Sequence, residues 1–528
     1  MSRPHLLQAL TRPAFSILLR RLHRRYPAQA NERTEQEQVR RTLLHQIART
    51  AYGKQHGVEA GDPGSFARLP LVAYEDLIPW IEQSKAGAPD ILAPGPCPYF
   101  AVSSGTTAGR TKYLPVNAAM LRHFRQTGLD SLLFLLARQP GLPLLRGRHL
   151  FLGGSTELLP LPGRPSHSPA WSGDLSGITA REMPWWVDRL LYEPGRQIAA
   201  VGDWPTKIET MIKRVEKRSM TLMAGIPSWM LIVLEKLRER FEARTGGEWK
   251  NIRSLWPDFC ALIHGGVPFG PYRECFAEWL GPEVVTHEVY PASEAFIALQ
   301  DAHPEDGLRL LTRAGIFYEF LALQAYREKP LTELGGDTVP LEGVKTGQPY
   351  VLILTAPSGL SRYVIGDVVT FTSLTPPRLM YAGRTHLSLS PFGEHVIEKE
   401  LTDALTQTAP SFGLVIRNFH VAPIFAQGEV RRGYHEWWIG TESILSPNEE
   451  LSLAGALDEA LQRMNEDYEA KRQGQGMAPP RIRLVQPDTF NRWMADRNKF
   501  GGQNKMPRCR NDRQIADALA ALASSPAD

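Results

Sequence analysis

The residues best suited to chemistry stand between Val102 and Pro115, in the run VSSGTTAGRTKYLP. Ser103, Ser104, Thr106 and Thr107 bring hydroxyls, Gly105 and Gly109 bring backbone freedom, and Arg110 and Lys112 bring positive charge. Glycines let backbone amides close around an anion, hydroxyls donate to its oxygens and cations offset its charge, so the run reads as a phosphate cradle. Neither the GxxxxGK[ST] nucleotide loop nor the GxGxxG fingerprint is present. The apolar run Tyr99-Phe100-Ala101-Val102 ahead of it predicts a turn between two strands rather than a loop opening a helix. Taken alone, a Ser/Thr/Gly run is also what an ordinary loop looks like.

Three later stretches bear on that choice. His264-Gly265-Gly266-Val267-Pro268 and Tyr290-Pro291-Ala292-Ser293-Glu294 each sit at the end of a predicted strand. A Gly-Gly turn admits a flat ring, an aromatic stacks on it, and a carboxylate holds Mg²⁺ beside phosphate oxygens. In Ser361-Arg362-Tyr363-Val364-Ile365-Gly366-Asp367 an aspartate follows a tight glycine, where it can accept both hydroxyls of a ribose. Gly502-Gln503-Asn504-Lys505-Met506-Pro507-Arg508 is a loop carrying a lysine near the C-terminus. Each stretch by itself also fits a surface turn or a structural acid.

The elements that must position these residues follow from periodicity. Trp229 to Phe241 has a helical pattern, while His149 to Leu152, Phe259 to Ile263 and Tyr350 to Leu354 are short apolar runs of strand character. Such alternation predicts an α/β fold, with sheets covered by helices. Composition changes after Arg384, which places a domain boundary there: a large N-terminal domain over 1–383 and a small α+β domain over 384–528. Ala14 to Leu19, followed by Arg20, Arg21, Arg24 and Arg25, predicts an amphipathic helix on the main body and is too short for a membrane span. Trp185, Trp186, Trp437 and Trp438 read as core or interdomain packing.

Composition narrows the function classes. With 528 residues, 43% of them hydrophobic, the chain can bury more than one core. Sixty Lys and Arg against 56 Asp and Glu give a net charge of +4, a mixed surface without a nucleic-acid footprint. The four cysteines, Cys97, Cys260, Cys275 and Cys509, form no CxxC pair, which fits a reduced cytoplasmic setting and argues against a zinc site.

In their order, the motifs resemble adenylate-forming ligases and, within them, the acyl-acid amido synthetases that conjugate auxin and jasmonate to amino acids, the Gretchen Hagen family. SSGTTAGRTKYLP is similar to that family's phosphate loop, and VVTHEVYPASEAFIALQ to its Met-Tyr-x-Ser-Ser-Glu segment. Phe317-Tyr318-Glu319-Phe320 resembles its Phe-Phe-Glu-Phe, and SRYVIGDVV its Tyr-Arg-Tyr-Arg-Val-Gly-Asp. Gln503 to Cys509 resembles its Asn-Gln-Tyr-Lys-x-Pro-Arg-Cys ending. One departure stands at the hinge: Gly383-Arg384-Thr385-His386 puts His386 where the wider superfamily has an acid, while Gly393 and Glu400 keep the downstream spacing.

The resemblance implies a two-step reaction using ATP and Mg²⁺. A carboxylic acid is activated as an acyl-adenylate with loss of pyrophosphate, and an amino acid amine then takes the acyl group. By the same resemblance Ser103, Ser104, Gly105, Thr106 and Thr107 hold the phosphates. Ser293 meets the α-phosphate region, Glu294 binds Mg²⁺, Tyr290 stacks on adenine, Asp367 takes the ribose and Lys505 neutralises charge in transfer. Lys112 is either an added cation or a solvated lysine, and Arg384 contacts nucleotide from the hinge. No protein partner or membrane span is implied. Two other readings stay open on the motifs alone: a thioester-forming ligase using coenzyme A, and a non-catalytic nucleotide-binding regulator.

Overall fold

The computed structural model describes residues 16–27, 31–103, 112–164, 168–202, 204–266, 269–385, 388–389, 391–392, 394, 396–425, 432–473, 477–497 and 506–524. The chain lays down β1 (Tyr99–Ser103), β2 (Lys112–Val116), β3 (Arg148–Leu152), β4 (Met220–Gly225), β5 (Ala261–Gly265) and β6 (Val285–Pro291). There follow β7 (Phe296–Leu299), β8 (Leu308–Leu310), β9 (Phe317–Ala322), β10 (Pro349–Thr355), β11 (Tyr363–Leu374) and β12 (Pro377–Arg384). The α/β class read from the sequence is the one observed.

Strands β3 to β12 belong to an 11-stranded sheet in the order β9-β10-β11-β12-β8-β7-β6-β5-β4-β3, with Tyr192–Glu193 on the β3 edge. One half, β3 to β6, is parallel. In the other half the β6-β7, β7-β8, β8-β12, β9-β10 and β10-β11 pairs are antiparallel. Parallel neighbours need a crossover, and helices supply it: α2 (Trp204–Val215) precedes β4, α3 (Pro227–Thr245) precedes β5 and α4 (Arg273–Leu280) precedes β6. The uninterrupted burial of Met220 to Ala224 and Ala261 to Gly265 follows, since a parallel strand is covered on both faces. Their C-terminal ends, at Gly225 and Gly265, lie on the side where open parallel sheets present ligands.

A second, smaller sheet holds the β1-β2 hairpin, paired from Tyr99↔Val116 to Ser103↔Lys112. These are the two strands expected around the Ser/Thr/Gly run, and residues 104–111 lie outside the described residues. The 21-residue α1 (Ala118–Arg138) follows β2, capped by Asn117, whose side chain accepts from the Met120 N–H.

The chain divides into two compact units, one over Met1–Ile226, Val233–Gly266 and Pro282–Met380, the other over Pro227–Ile232, Val267–Gly281 and Tyr381–Asp528. In the second, β13 (Asn418–Ile424) pairs antiparallel with β14 (Tyr434–Gly440), and β15 (Arg481–Val485) joins β14 in parallel. Phe419, Trp437, Leu453, Leu457 and Leu461 form its core with α5 (Glu398–Thr408) and α6 (Pro447–Met464).

Several local expectations meet the structure directly. Residues 16–25 are helical, and Leu22 and Tyr26 bury against Leu133, Phe134 and Leu299. The helix read at Trp229 to Phe241 is α3, and the strand read at Phe259 to Ile263 begins two residues later. Trp437 and Trp438 are buried, but Trp185 and Trp186 are 73% and 48% exposed on a six-residue helix with no buried residue. Among the described residues no helix is long and apolar enough to cross a membrane. All four cysteines are free and buried.

Candidate functional site

The structure brings two of the sequence-predicted residues into direct contact. The Tyr290 hydroxyl, at the end of β6, donates to Asp367 Oδ2 on β11 at 2.5 Å, although 77 positions separate them. Both are buried, Tyr290 at 7% and Asp367 at 2% exposure. Read separately as an adenine platform and a ribose acceptor, they are a bonded pair. A phenol donating to a carboxylate makes a strong, short bond, which fixes the direction of the acid.

The backbone around Asp367 is itself shaped for that contact. On β11, Val368 pairs with Val351 and Val364 with Ile353, so three residues of β11 oppose one of β10. Gly366 lies at φ +84°, inside this bulge. A bulge re-aims the side chains within it, and Asp367 is one of its three residues. Five residues upstream, Arg362 adopts φ +46°, a strained region for a residue with a side chain.

Arg362, which has no role of its own in the motif reading, is a structural support of this site. Its Nε and Nη2 donate to the two carboxylate oxygens of Glu319 on β9 at 3.1 and 2.9 Å. Nη1 donates to Leu69 O at 2.9 Å, and Nη2 also reaches Gly335 O at 2.7 Å and Thr338 Oγ1 at 2.9 Å. The pair is buried, and its planar fork meets the carboxylate in two bonds. The Phe-Tyr-Glu-Phe and Ser-Arg-Tyr motifs thus carry the two halves of one ion pair that pins β9 to the start of β11. A signal existed: a glutamate within an apolar strand needs a cation, and an arginine within another apolar run needs an acid.

Ser293 and Glu294 occupy a tight turn between β6 and β7, closed by the Ala292 N–H donating to Ala295 O at 2.8 Å, and both are half-buried. Ser103 ends β1. Lys112, directly opposite it, places Nζ 5.5 Å from the Tyr74 ring, and the Tyr74 hydroxyl accepts from the Tyr113 N–H. Ser104, Gly105, Thr106, Thr107 and Lys505 lie outside the described residues, as do His386 and Gly393. Arg384, half-buried, ends β12 in the second compact unit. Glu400 has a structural task, accepting from the Ile397 N–H at the start of α5 and from Asn465 Nδ2.

The Gly265-Gly266 turn has a reason other than a ligand ring. A Cβ on Gly265 would lie 2.3 Å from Val289 O, so close packing of β5 on β6 requires glycine there. At the end of β3, Lys207 of α2 is buried and donates to Gly154 O at 2.7 Å and Gly153 O at 3.3 Å. Burial pulls its ammonium down to about 8, with Asp174 opposing that shift.

In the second unit the segment after Lys505 is tightly held. His420 Nδ1–H donates to Pro507 O at 2.7 Å, and the Val421 N–H donates to Arg508 O at 2.8 Å. Arg508 donates to Asn418 Oδ1 at 2.5 Å and to the Tyr272 hydroxyl at 2.9 Å, with its guanidinium 4.8 Å from the Phe419 ring. Burial pushes the Cys509 thiol far up, which makes it an inert packing group.

Among the described residues no three His, Cys, Asp or Glu side chains converge on a metal position. Mg²⁺ is usually held by one or two carboxylates together with oxygens that a nucleotide brings, and the single half-buried carboxylate of Glu294 fits that pattern.

A half-parallel, half-antiparallel sheet with its candidate residues on strand ends, followed by a separate C-terminal sheet, is the architecture of adenylate-forming ligases. The fold matches a 2-hydroxyisobutyryl-CoA ligase (TM-score 0.59, 15% identity, 94% of this chain and 92% of that one). It matches a structure described as GH3.15 acyl acid amido synthetase more closely (TM-score 0.77, 18% identity, 96% of both chains). Family models fit in order along the sequence: the GH3 family N-terminal domain at residues 21–284, the central domain at 309–384 and the C-terminal domain at 399–514. The chain belongs to the GH3 family. Curated relatives include the indole-3-acetic acid-amido synthetase GH3.10 of Arabidopsis thaliana, 26% identical over 85% of this chain and 86% of its own. The probable indole-3-acetic acid-amido synthetase GH3.4 of Oryza sativa subsp. japonica is 24% identical over 93% and 88%.

Proposed function

We propose that the chain is an ATP- and Mg²⁺-dependent acyl-acid amido synthetase, with 1–383 as the adenylation domain and 384–528 as a C-terminal lid. The observation that carries this reading is coverage. The family match runs through the N-terminal, central and C-terminal regions, and the relatives aligned along most of the chain are named for amide synthesis. Coenzyme A ligases share the fold, so the preference for an amine rests on the family.

A carboxylate lacks a good leaving group and is activated first. One of its oxygens attacks the α-phosphorus of ATP, the bond from that phosphorus to the bridging oxygen breaks, and pyrophosphate departs. Such transfer needs positioning and charge neutralisation more than covalent help. Ser103, Ser104, Gly105, Thr106 and Thr107 cradle the phosphates, Lys112 adds charge at the base of the loop, and Ser293 meets the α-phosphate region. Mg²⁺, when bound, offsets phosphate charge with Glu294 as its protein carboxylate. Tyr290 and Asp367 act together, the phenol aiming the carboxylate at the ribose while the ring meets adenine. Arg384 contacts the nucleotide from its strand end, and Lys505 neutralises the α-phosphate and bridging oxygen. The amine nitrogen of an amino acid then attacks the acyl carbon, the carbon–oxygen bond to AMP breaks, and the amine gives up a proton.

Incubation with Mg·ATP, a panel of aryl, indolyl and fatty acids, and mixed amino acids is expected to yield an acyl-amino acid amide by mass spectrometry. Product formed with coenzyme A and never with amino acids would replace this reading by the thioester ligase.

A further inference from the structure

We propose that His123 is a positioning residue for the Ser293-Glu294 turn, holding it from helix α1 through the backbone of Phe296. The inference rests on the reading of Glu294 as the carboxylate that meets Mg²⁺. His123 is 5% exposed on α1. Its Nδ1 lies 2.8 Å from Ala314 O, and its Nε2 lies 2.9 Å from the Phe296 backbone nitrogen. A carbonyl only accepts and an amide N–H only donates, so Nδ1 carries the proton and Nε2 the lone pair. The ring is a neutral, single tautomer with both nitrogens occupied.

The turn needs this outside support because its own ladder is defective. Phe296 stands opposite Pro291, which has no N–H to give, and the register slips by one residue between Phe296 and Ala298. Phe296, the first residue of β7, sends its N–H to the helix. Glu294 is two residues away within a turn of four, so displacement of Phe296 passes almost directly to its carboxylate. The other arm is tied separately, by Tyr290 to Asp367. His123 thus completes a two-point mount for the turn: one point on β11, the other on α1.

The two nitrogens can be tested apart in the full-length chain. His123→Gln keeps an acceptor near the Nε2 position, whereas His123→Asn keeps a donor near Nδ1 and loses the acceptor. Binding of Mn²⁺ in the presence of ATP, followed by electron paramagnetic resonance, reads the metal without turnover. The Mg²⁺ dependence of pyrophosphate release reads it in catalysis, and Glu294→Gln serves as reference. His123→Asn is expected to raise the metal concentration for half-saturation about five- to tenfold, the worth of one hydrogen bond, with kcat recovered at saturating Mg²⁺. His123→Gln is expected to stay near the wild-type requirement although both variants lose some thermal stability. Equal shifts in both, or no shift in His123→Asn beside a clear one in Glu294→Gln, would reduce His123 to a packing residue. Should His123→Asn fail to fold, His123→Gln decides alone, because a shifted metal requirement in it overturns the proposal. An unshifted Glu294→Gln removes the metal reading itself, and the inference falls with it.

Discussion

The end of β6 with the start of β11, on one side, and the segment after Lys505, on the other, are fixed by opposite means. At the first, the residues expected to touch nucleotide are bonded to each other: Tyr290 to Asp367, with the bulge at Gly366 and the Arg362–Glu319 pair behind them. At the second, the neighbours carry the bonds. His420 holds Pro507, and Asn418, Tyr272 and the Phe419 ring hold Arg508, so the chain is anchored just past the lysine. A contact that keeps the nucleotide in place through the reaction profits from a buried, pre-aimed carboxylate. A lysine that acts from the C-terminal segment would profit from this secured flank.

The contrast can be broken most forcefully at Lys505. Lys505→Ala is expected to lower the adenylation rate by about 10²- to 10³-fold, the scale for removing a transition-state charge partner, while calorimetry finds ATP affinity little changed. Normal turnover would strip the C-terminal segment of its role. Next comes the support of the buried side. Arg362→Ala leaves Glu319 buried without its cation and is expected to destabilise the protein by about 3–5 kcal/mol in urea unfolding. A small change would mean that Glu319 escapes to water and that the pair does not hold β11.

Two milder substitutions separate binding from aiming. Asp367→Ala is expected to weaken ATP binding by about 10- to 100-fold, from loss of a charged acceptor, and unchanged affinity would refute the ribose assignment. Tyr290→Phe keeps the ring and removes the 2.5 Å bond, so about a three- to tenfold loss of affinity is expected if aiming matters. An effect as large as that of Asp367→Ala would instead make the phenol a direct ligand contact.

Much of the framework is legible in the sequence because periodicity reports burial locally. The apolar runs at His149 and Tyr350 are strands, and the helical pattern at Trp229 is a helix. Motif order also points to the family, since short runs at strand ends carry the chemistry. Pairings across long sequence distance are not legible in the same way. Nothing local links Tyr290 to Asp367 or His123 to Phe296, for only the tertiary fold brings them together. Trp185 and Trp186 mislead for a related reason: large aromatic rings suggest a core, but a six-residue helix without a buried face leaves them in solvent. Gly265 carries a second constraint that is not legible locally, its missing side chain serving the approach of two strands.

The most direct test is acid-dependent exchange of labelled pyrophosphate into ATP, which reports adenylate formation before any acceptor is present. Exchange is expected to require a carboxylic acid and Mg²⁺, to nearly vanish in Lys505→Ala, and to be diverted to an amide when amino acids are added. ATP binding without exchange across a broad acid panel would contradict this expectation and leave a nucleotide-binding protein that does no adenylation.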